Sequence, residues 1–174
     1  MRSAEELQPL ARRLRRARLF GEPEATERRA WTRADLERAL PHRGPMLLLD
    51  GVEAIDLEGG RIRARREVAA DALGLDGHFP GAPIYPGVLQ VEMIGQAGLC
   101  LARHLRRAEG SIDARVIAIH HASFLAPVRP GETLAVEAAR VDDDAWTGTL
   151  AGQVWAASEL KSSCIVEVYF VDAS

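Results

Sequence analysis

The chain has 174 residues, the length of one domain with an appendage, and its 47% hydrophobic and 27% charged residues exclude a collagen, a coiled coil and wholesale disorder. No apolar run approaches the ~18 residues that cross a bilayer, and no signal-peptide core follows Arg2. The formal charge of −3 is uneven, with eleven arginines against seven acids in residues 1–43 and eleven basic residues against eighteen acids beyond; an acidic body argues against a nucleic-acid partner.

Leu7, Leu10, Leu14 and Ala17 recur at helical spacing among Arg12, Arg13, Arg15 and Arg16, which predicts an amphipathic helix of about four turns ending near Gly21. Glu22-Pro23-Glu24 reads as a linker. Thr32 and Asp35 form an approximate capping box for a short helix that Pro41 stops. A strand enters at Met46–Leu49 and continues through Val52 and Ile55 to a Gly59-Gly60 turn. Arg61 to Val68 alternates, with Arg61, Arg63 and Arg65 opposite Ile62 and Ala64. Residues 71–86, rich in glycine and proline, are expected to be irregular, and Gly87 to about Arg107 is one helix, apolar almost all round and therefore buried. Four strands follow, over roughly 114–126, 132–142, 145–157 and 163–171. This order predicts an α+β fold in which a single antiparallel sheet wraps around a long central helix, with an N-terminal helical extension. The expected division is 1–31 for the arginine-rich extension and linker and 32–174 for the main domain.

The chemistry concentrates in residues 77–96. His78 lies in a Gly/Pro-rich loop whose backbone has little freedom, so its ring is held in one place. Pro86-Gly87 opens the long helix, where unpartnered amides and the helix dipole favour negative charge. Glu92 follows one turn on, with Gln96 at i+4 on the same face. A carboxyl in apolar surroundings has its pKa raised by desolvation, so Glu92 is expected to hold a proton near neutral pH. A loop histidine alone is more often structural, and a lone buried glutamate can simply pair with an arginine. Base, oxyanion site and proton donor together are what a carbonyl-activating site requires. Cys100 and Cys164, a single pair, make neither a disulfide framework nor a zinc site and suit a reducing, cytoplasmic setting; Cys100 reads as core.

The stretch Gly77-His78-Phe79-Pro80-Gly81, the turn Pro83-Ile84-Tyr85-Pro86-Gly87, and Glu92 fourteen positions after His78 resemble the signature of the β-hydroxyacyl-acyl carrier protein dehydratases of type II fatty-acid synthesis. The acid is Glu, as in the dehydratase-only branch; the dehydratase-isomerase branch carries Asp. Leu40-Pro41-His42-Arg43-Gly44-Pro45-Met46-Leu47-Leu48-Leu49-Asp50 is similar to that family's opening motif, and Phe124 with Pro127-Val128-Arg129-Pro130-Gly131-Glu132 to its later one. The chain departs from the pattern at Tyr85, where methionine is usual, at Gly44, at Ser123, in the last third and in the first thirty or so residues. These departures suit a specialised relative, in fatty-acid or polyketide-type biosynthesis.

The resemblance implies a hot-dog fold and elimination of water from a β-hydroxyacyl thioester. His78 would take the α-proton, the Gly87 amide would hold the thioester carbonyl, Glu92 would assist departure of the hydroxyl, and Gln96 would orient Glu92. Tyr85, Phe79 and Phe124 would border the acyl tunnel. The family needs no metal or organic cofactor, because the acyl group arrives on the phosphopantetheine of acyl carrier protein. Its site forms across a homodimer, with the histidine and acid from different chains, alone or in a trimer of dimers. Three rival readings stand beside it: an acyl thioesterase of the same fold, a non-catalytic acyl-thioester-binding regulator, and a pseudoenzyme acting as an assembly partner. Arg12, Arg13, Arg15 and Arg16, or Arg61, Arg63 and Arg65, or Arg103, Arg106 and Arg107 are candidates to meet the carrier. His120 and His121 should alternate across a strand, placing one of them inside.

Overall fold

A computed structural model describes residues 3–20 and 27–171. Its elements are α1 (Ala4–Leu14), β1 (Glu27–Trp31), α2 (Arg33–Ala39), β2 (Gly51–Asp56), β3 (Arg61–Glu67), α3 (Gly87–Leu105), β4 (Ala114–Phe124), β5 (Thr133–Asp143), β6 (Thr147–Ala156) and β7 (Glu159–Phe170). The seven strands form one antiparallel sheet in the order β1-β2-β3-β5-β6-β7-β4. The α+β hot-dog arrangement expected from the sequence is the one found, with α3 packed along the sheet.

The core lies between α3 and one face of the sheet, where Met93, Ile94, Ala97, Cys100 and Leu101 meet Ile62, Ala64, Val136, Ala138, Val154, Cys164 and Val166. Burial drives the Cys100 thiol pKa up to about 12, so it stays protonated as a small apolar residue. Close approach of helix and sheet depends on Gly152, where a Cβ would strike the Ile94 side chain. Among the described residues no helix is long and apolar enough to cross a membrane.

Helix α1 is shorter than the four turns its apolar spacing suggested and ends at Leu14. Its start is fixed by a reciprocal box: the Glu6 amide donates to Ser3 Oγ at 3.3 Å and the Ser3 amide to Glu6 Oε2 at 2.7 Å. The Thr32/Asp35 box also forms, with the Thr32 amide donating to Asp35 Oδ2 at 2.7 Å. The proposed Glu22-Pro23-Glu24 linker lies outside the described residues. Residues 27–31, assigned to the extension and linker by sequence, are instead an edge strand paired with β2. Met46–Leu49 does not enter the sheet: Gly44–Met46 is a 3-10 turn and the ladder begins at Gly51. Strand β7 begins at Glu159 rather than 163, because Ala157 adopts φ +49° and closes a tight hairpin from β6.

Leu7, Ala11 and Leu14 of α1 pack on Ala151 and Ile165, on the sheet face away from α3. Ile165 alternates with the core residues Cys164 and Val166, so it must point to that outer face. Buried Gln153 ties down the chain after α1: its amide donates to the carbonyls of Leu14 at 2.5 Å and Ala17 at 2.9 Å and accepts from the Leu19 amide at 2.8 Å. Glu137 beside it accepts from Arg18 Nε at 3.1 Å and the Phe20 amide at 3.2 Å.

Four of the ten arginines considered for carrier docking are engaged within the chain. Arg61 pairs with Asp56 at 2.6 Å and Arg63 with Glu137 at 3.0 Å. Arg103 donates to the carbonyls of Gly110 and Glu109, and Arg106 to those of Asp144 and Ala145. Neither strand histidine lies in the core: the register shift between Ile119 and His121 breaks the alternation. His120 Nε2 sits 2.9 Å from Glu167 and His121 Nε2 3.1 Å from Ser123 Oγ.

Candidate active site

His78 lies on the irregular stretch between β3 and α3. Successive turns hold the backbone there, the His78 amide donating to the Leu75 carbonyl at 3.2 Å and the Ala82 amide to the Phe79 carbonyl at 3.0 Å. Phe79 takes a left-handed φ of +58°, a conformation that side chains with a Cβ resist. Its ring meets the His78 imidazole edge-on at 4.5 Å between centroids.

His78 Nδ1 lies 2.6 Å from the Ile84 carbonyl oxygen. A carbonyl can only accept, so Nδ1 carries a proton, and in the neutral imidazole the lone pair is the one on Nε2. The loop therefore fixes both the tautomer and the aim of the ring. His78 lines a cleft of about 430 Å³ with Ile84, Tyr85, Pro86, Gly87, Val88 and Gln90 on one side and Phe124–Pro127 on the other. The two sides are tied together where the Tyr85 amide donates to the Val128 carbonyl at 2.8 Å.

Tyr85 is fully buried in the wall of this cleft, and its hydroxyl has no hydrogen-bond partner among the described residues. Burial raises its pKa, with Asp50 adding to the shift and Arg66 opposing it, so the phenol stays protonated. Gly87, the first residue of α3, lines the cleft, and the opening amides of a helix have no intrahelical partners. The Phe124 ring closes over this point: a Cβ on Gly87 would lie 2.5 Å from Phe124 Cδ1.

Glu92 does not line the cleft. At about 100° per residue, Glu92 and Gln90 lie roughly 160° apart around α3, so they occupy nearly opposite faces. The Glu92 side chain joins a second cluster. Gln96 Nε2 donates to Glu92 Oε1 at 2.9 Å and to the Met46 carbonyl at 2.7 Å, while its Oε1 accepts from the Leu48 amide at 2.9 Å. Those two backbone bonds fix which end of the Gln96 amide faces Glu92. His42 Nε2 approaches the same Glu92 oxygen at 3.1 Å.

The raised pKa expected for Glu92 is not found. Burial does push the carboxyl up, but the hydrogen bonds from His42 and Gln96 and the His42 charge outweigh it, leaving the pKa below the usual glutamate value. The apolar surroundings legible along α3 say nothing about His42, which arrives from fifty positions earlier in the chain. His42 is also the site residue that sequence reasoning missed, although it stands within the Leu40–Asp50 motif. Gln90 was missed too; it is buried in the cleft wall with Oε1 unpartnered among the described residues. Among the described residues no three His, Cys, Asp or Glu side chains are grouped to hold a metal ion.

A long helix against one face of an antiparallel sheet, with a histidine loop leading into the helix N-terminus, defines a hot-dog protein. Solved structures with this fold include the dehydratase heterocomplex ApeI:P from Xenorhabdus doucetiae, with a TM-score of 0.64 at 20% identity over 79% of this chain and 91% of that one. The E. coli PaaI protein from the phenylacetic acid degradation operon has a TM-score of 0.54 at 16% identity over 70% and 78%. The FabA-like domain profile matches residues 40–165, and the chain belongs to that family. It is 37% identical over 135 residues to the 3-hydroxyacyl-(acyl-carrier-protein) dehydratase FabZ of Protochlamydia amoebophila, covering 78% of this chain and 86% of the relative. To the enzyme of the same name from Erythrobacter litoralis it is 45% identical over 101 residues, 58% of this chain and 66% of the relative.

Proposed function

We propose that the protein eliminates water from 3-hydroxyacyl thioesters carried on acyl carrier protein, in fatty-acid biosynthesis or a related acyl pathway of the cytoplasm. The observation that carries this reading is the His78 ring, held by the Ile84 carbonyl with the lone pair of Nε2 free beside an apolar cleft. His78 removes the α-proton; the Gly87 amide holds the thioester oxygen as negative charge grows on it; the hydroxyl leaves with assistance from Glu92, which Gln96 orients. The acyl chain runs past Tyr85, Phe79 and Phe124. The substrate brings its own phosphopantetheine, and the step needs no further cofactor.

The separation of His78 and Glu92 on one chain supports a site completed by a second copy. Strand β4 is a sheet edge, and it exposes Val116, Ile117 and Ile119. Val88, 70% exposed, and Phe124 are further exposed apolar side chains at the cleft, and Phe79 is exposed beside His78. A two-fold dimer covers this surface and brings the partner's acid to each histidine. Of the extension 1–31, residues 3–20 pack on the outer face of the sheet and 27–31 add a strand at its edge; residues 32–174 carry the chemistry.

The test is direct. Purified protein incubated with 3-hydroxyacyl carrier proteins of several chain lengths should yield products lighter by one water. A protein that releases free acid instead is a thioesterase, and one that leaves the substrate unchanged while binding it is not an enzyme of this kind.

A further inference from the structure

The depressed pKa of Glu92 leaves a gap in the chemistry. A leaving hydroxyl needs a proton, and an ionised carboxylate has none to give. We infer that His42 is the proton reservoir behind Glu92, so that the acid of the site is the His42–Glu92 pair and not the carboxyl alone. This rests on the dehydratase reading above.

The geometry carries the inference. His42 Nε2 lies 3.1 Å from Glu92 Oε1, and the other ring nitrogen, Nδ1, is buried without a hydrogen-bond partner among the described residues. The ring's polar contact with the protein is therefore through Glu92. Gln96 cannot take this part: an amide does not release a proton near neutral pH, and both its ends are committed to Met46, Leu48 and Glu92. Gln96 holds the carboxyl still, and His42 is placed to exchange a proton with it. Two fixed cations hold this segment: Arg43 donates to the carbonyls of Leu40 and His42 at 2.6 and 2.8 Å, and Arg33 to those of Gly44 and Leu47 at 2.9 and 3.4 Å. The segment is thus braced on both sides of His42.

The proton count closes. In this scheme the pair enters the reaction with one proton between His42 and Glu92. The α-proton passes to His78 as the Cα–H bond breaks and its electrons form the new double bond. As the Cβ–O bond breaks, Glu92 gives its proton to the departing oxygen, and the His42 proton is the one spent. Water leaves; His78 is left protonated, His42 neutral and Glu92 ionised. Loss of a proton from His78 and uptake of one by His42 restore the start, with no other reactant required.

Two variants separate a proton store from a mere prop. His42→Gln puts an amide N–H where Nε2 stood, keeping the hydrogen bond to Glu92 but offering no exchangeable proton. His42→Ala removes both. Both variants should melt within a few degrees of the wild type. Both should lose about 100-fold in kcat, the scale of a general acid, with KM changed less than about threefold. In both, the remaining proton must sit on Glu92, so the pH optimum should move to the acid side. Recovery of near wild-type kcat and pH profile by His42→Gln would overturn the inference and leave His42 as a positioning residue. Wild-type activity in His42→Ala would overturn any role for it. Failure of the wild-type protein to dehydrate any acyl thioester would instead overturn the reading on which this rests.

Discussion

Arg63 meets Glu137 at 3.0 Å beneath the chain that follows α1, and the Glu137 carboxylate is wholly screened from solvent. The two side chains stand opposite each other on β3 and β5, and Arg18 and the Phe20 amide complete the carboxylate's shell from above. A buried acid on the outer face of a sheet is tolerable only with such partners.

Glu137→Ala should therefore destabilise the protein strongly. It strands the Arg63 guanidinium and releases the Phe20 amide, a class of change that costs about 3 kcal/mol or more. For a chain of this size that is a fall of roughly 6–12 °C in Tm. Deletion of residues 1–20 should cost a similar amount, because it bares Ala151 and Ile165 and removes Leu14, Ala17 and Leu19 from Gln153 and Arg18 and Phe20 from Glu137. Thermal unfolding followed by circular dichroism measures both, and an unchanged Tm would show that the extension is not anchored.

Mixed dimers test the shared site. His78→Ala and Glu92→Gln should each lose at least about 100-fold in rate, as expected for a general base and an acid. Equal mixing with subunit exchange should return about a quarter of wild-type activity, since half the dimers are mixed and each has one intact site. Mixing that restores nothing, with exchange verified by native mass spectrometry, would place His78 and Glu92 in one chain's site.

Tyr85 offers a specificity test. Its hydroxyl is buried without a partner among the described residues, so Tyr85→Phe should be neutral or stabilising by up to about 1 kcal/mol. Tyr85→Met replaces a rigid ring by a flexible chain and should lengthen the accepted acyl group, each further buried methylene being worth ~0.8 kcal/mol. Competition between acyl carriers of different length reads the change; an unaltered profile would reduce Tyr85 to packing.

Lys161, the only lysine in the chain, is almost fully buried and binds the Pro127 carbonyl at 3.0 Å, Glu132 at 2.7 Å and Glu159 at 2.6 Å. It thereby clamps the 125–132 segment that forms one wall of the cleft. Burial opposes the Lys161 charge and that of Glu132, but their mutual hydrogen bond and attraction prevail, raising the lysine pKa and lowering the glutamate's. The depressed carboxyl gives stability that is fully present above its unfolded pKa and lost as pH falls through the lower folded value. The raised ammonium gives stability present below its unfolded pKa and lost as pH rises through the higher folded one. Stability from this pair should thus be level between about pH 6 and 9 and decline at both ends. Lys161→Met should lower Tm across that plateau and flatten both declines in a series of melts.

The elements whose physics is local were legible from the sequence alone. The apolar run of α3, the Thr32/Asp35 box and the alternation of β3 each draw on neighbours a few residues away, and each formed as read. The pinning of the His78 ring was legible for the same reason, since the loop that holds it is contiguous with it. Strand β1 was not, because a five-residue edge strand is defined by its pairing with β2 and not by its own pattern. The state of Glu92 was decided by tertiary structure: burial is a property of α3, but His42 and Gln96 act together only when residues 42–48 pack against that helix. The break in alternation at His120 and His121 came from a bulge that no period of two foretells. Desolvation, local propensity and turn chemistry can be read along a chain, whereas hydrogen bonds between residues fifty or a hundred positions apart exist only once the fold has closed the loop between them.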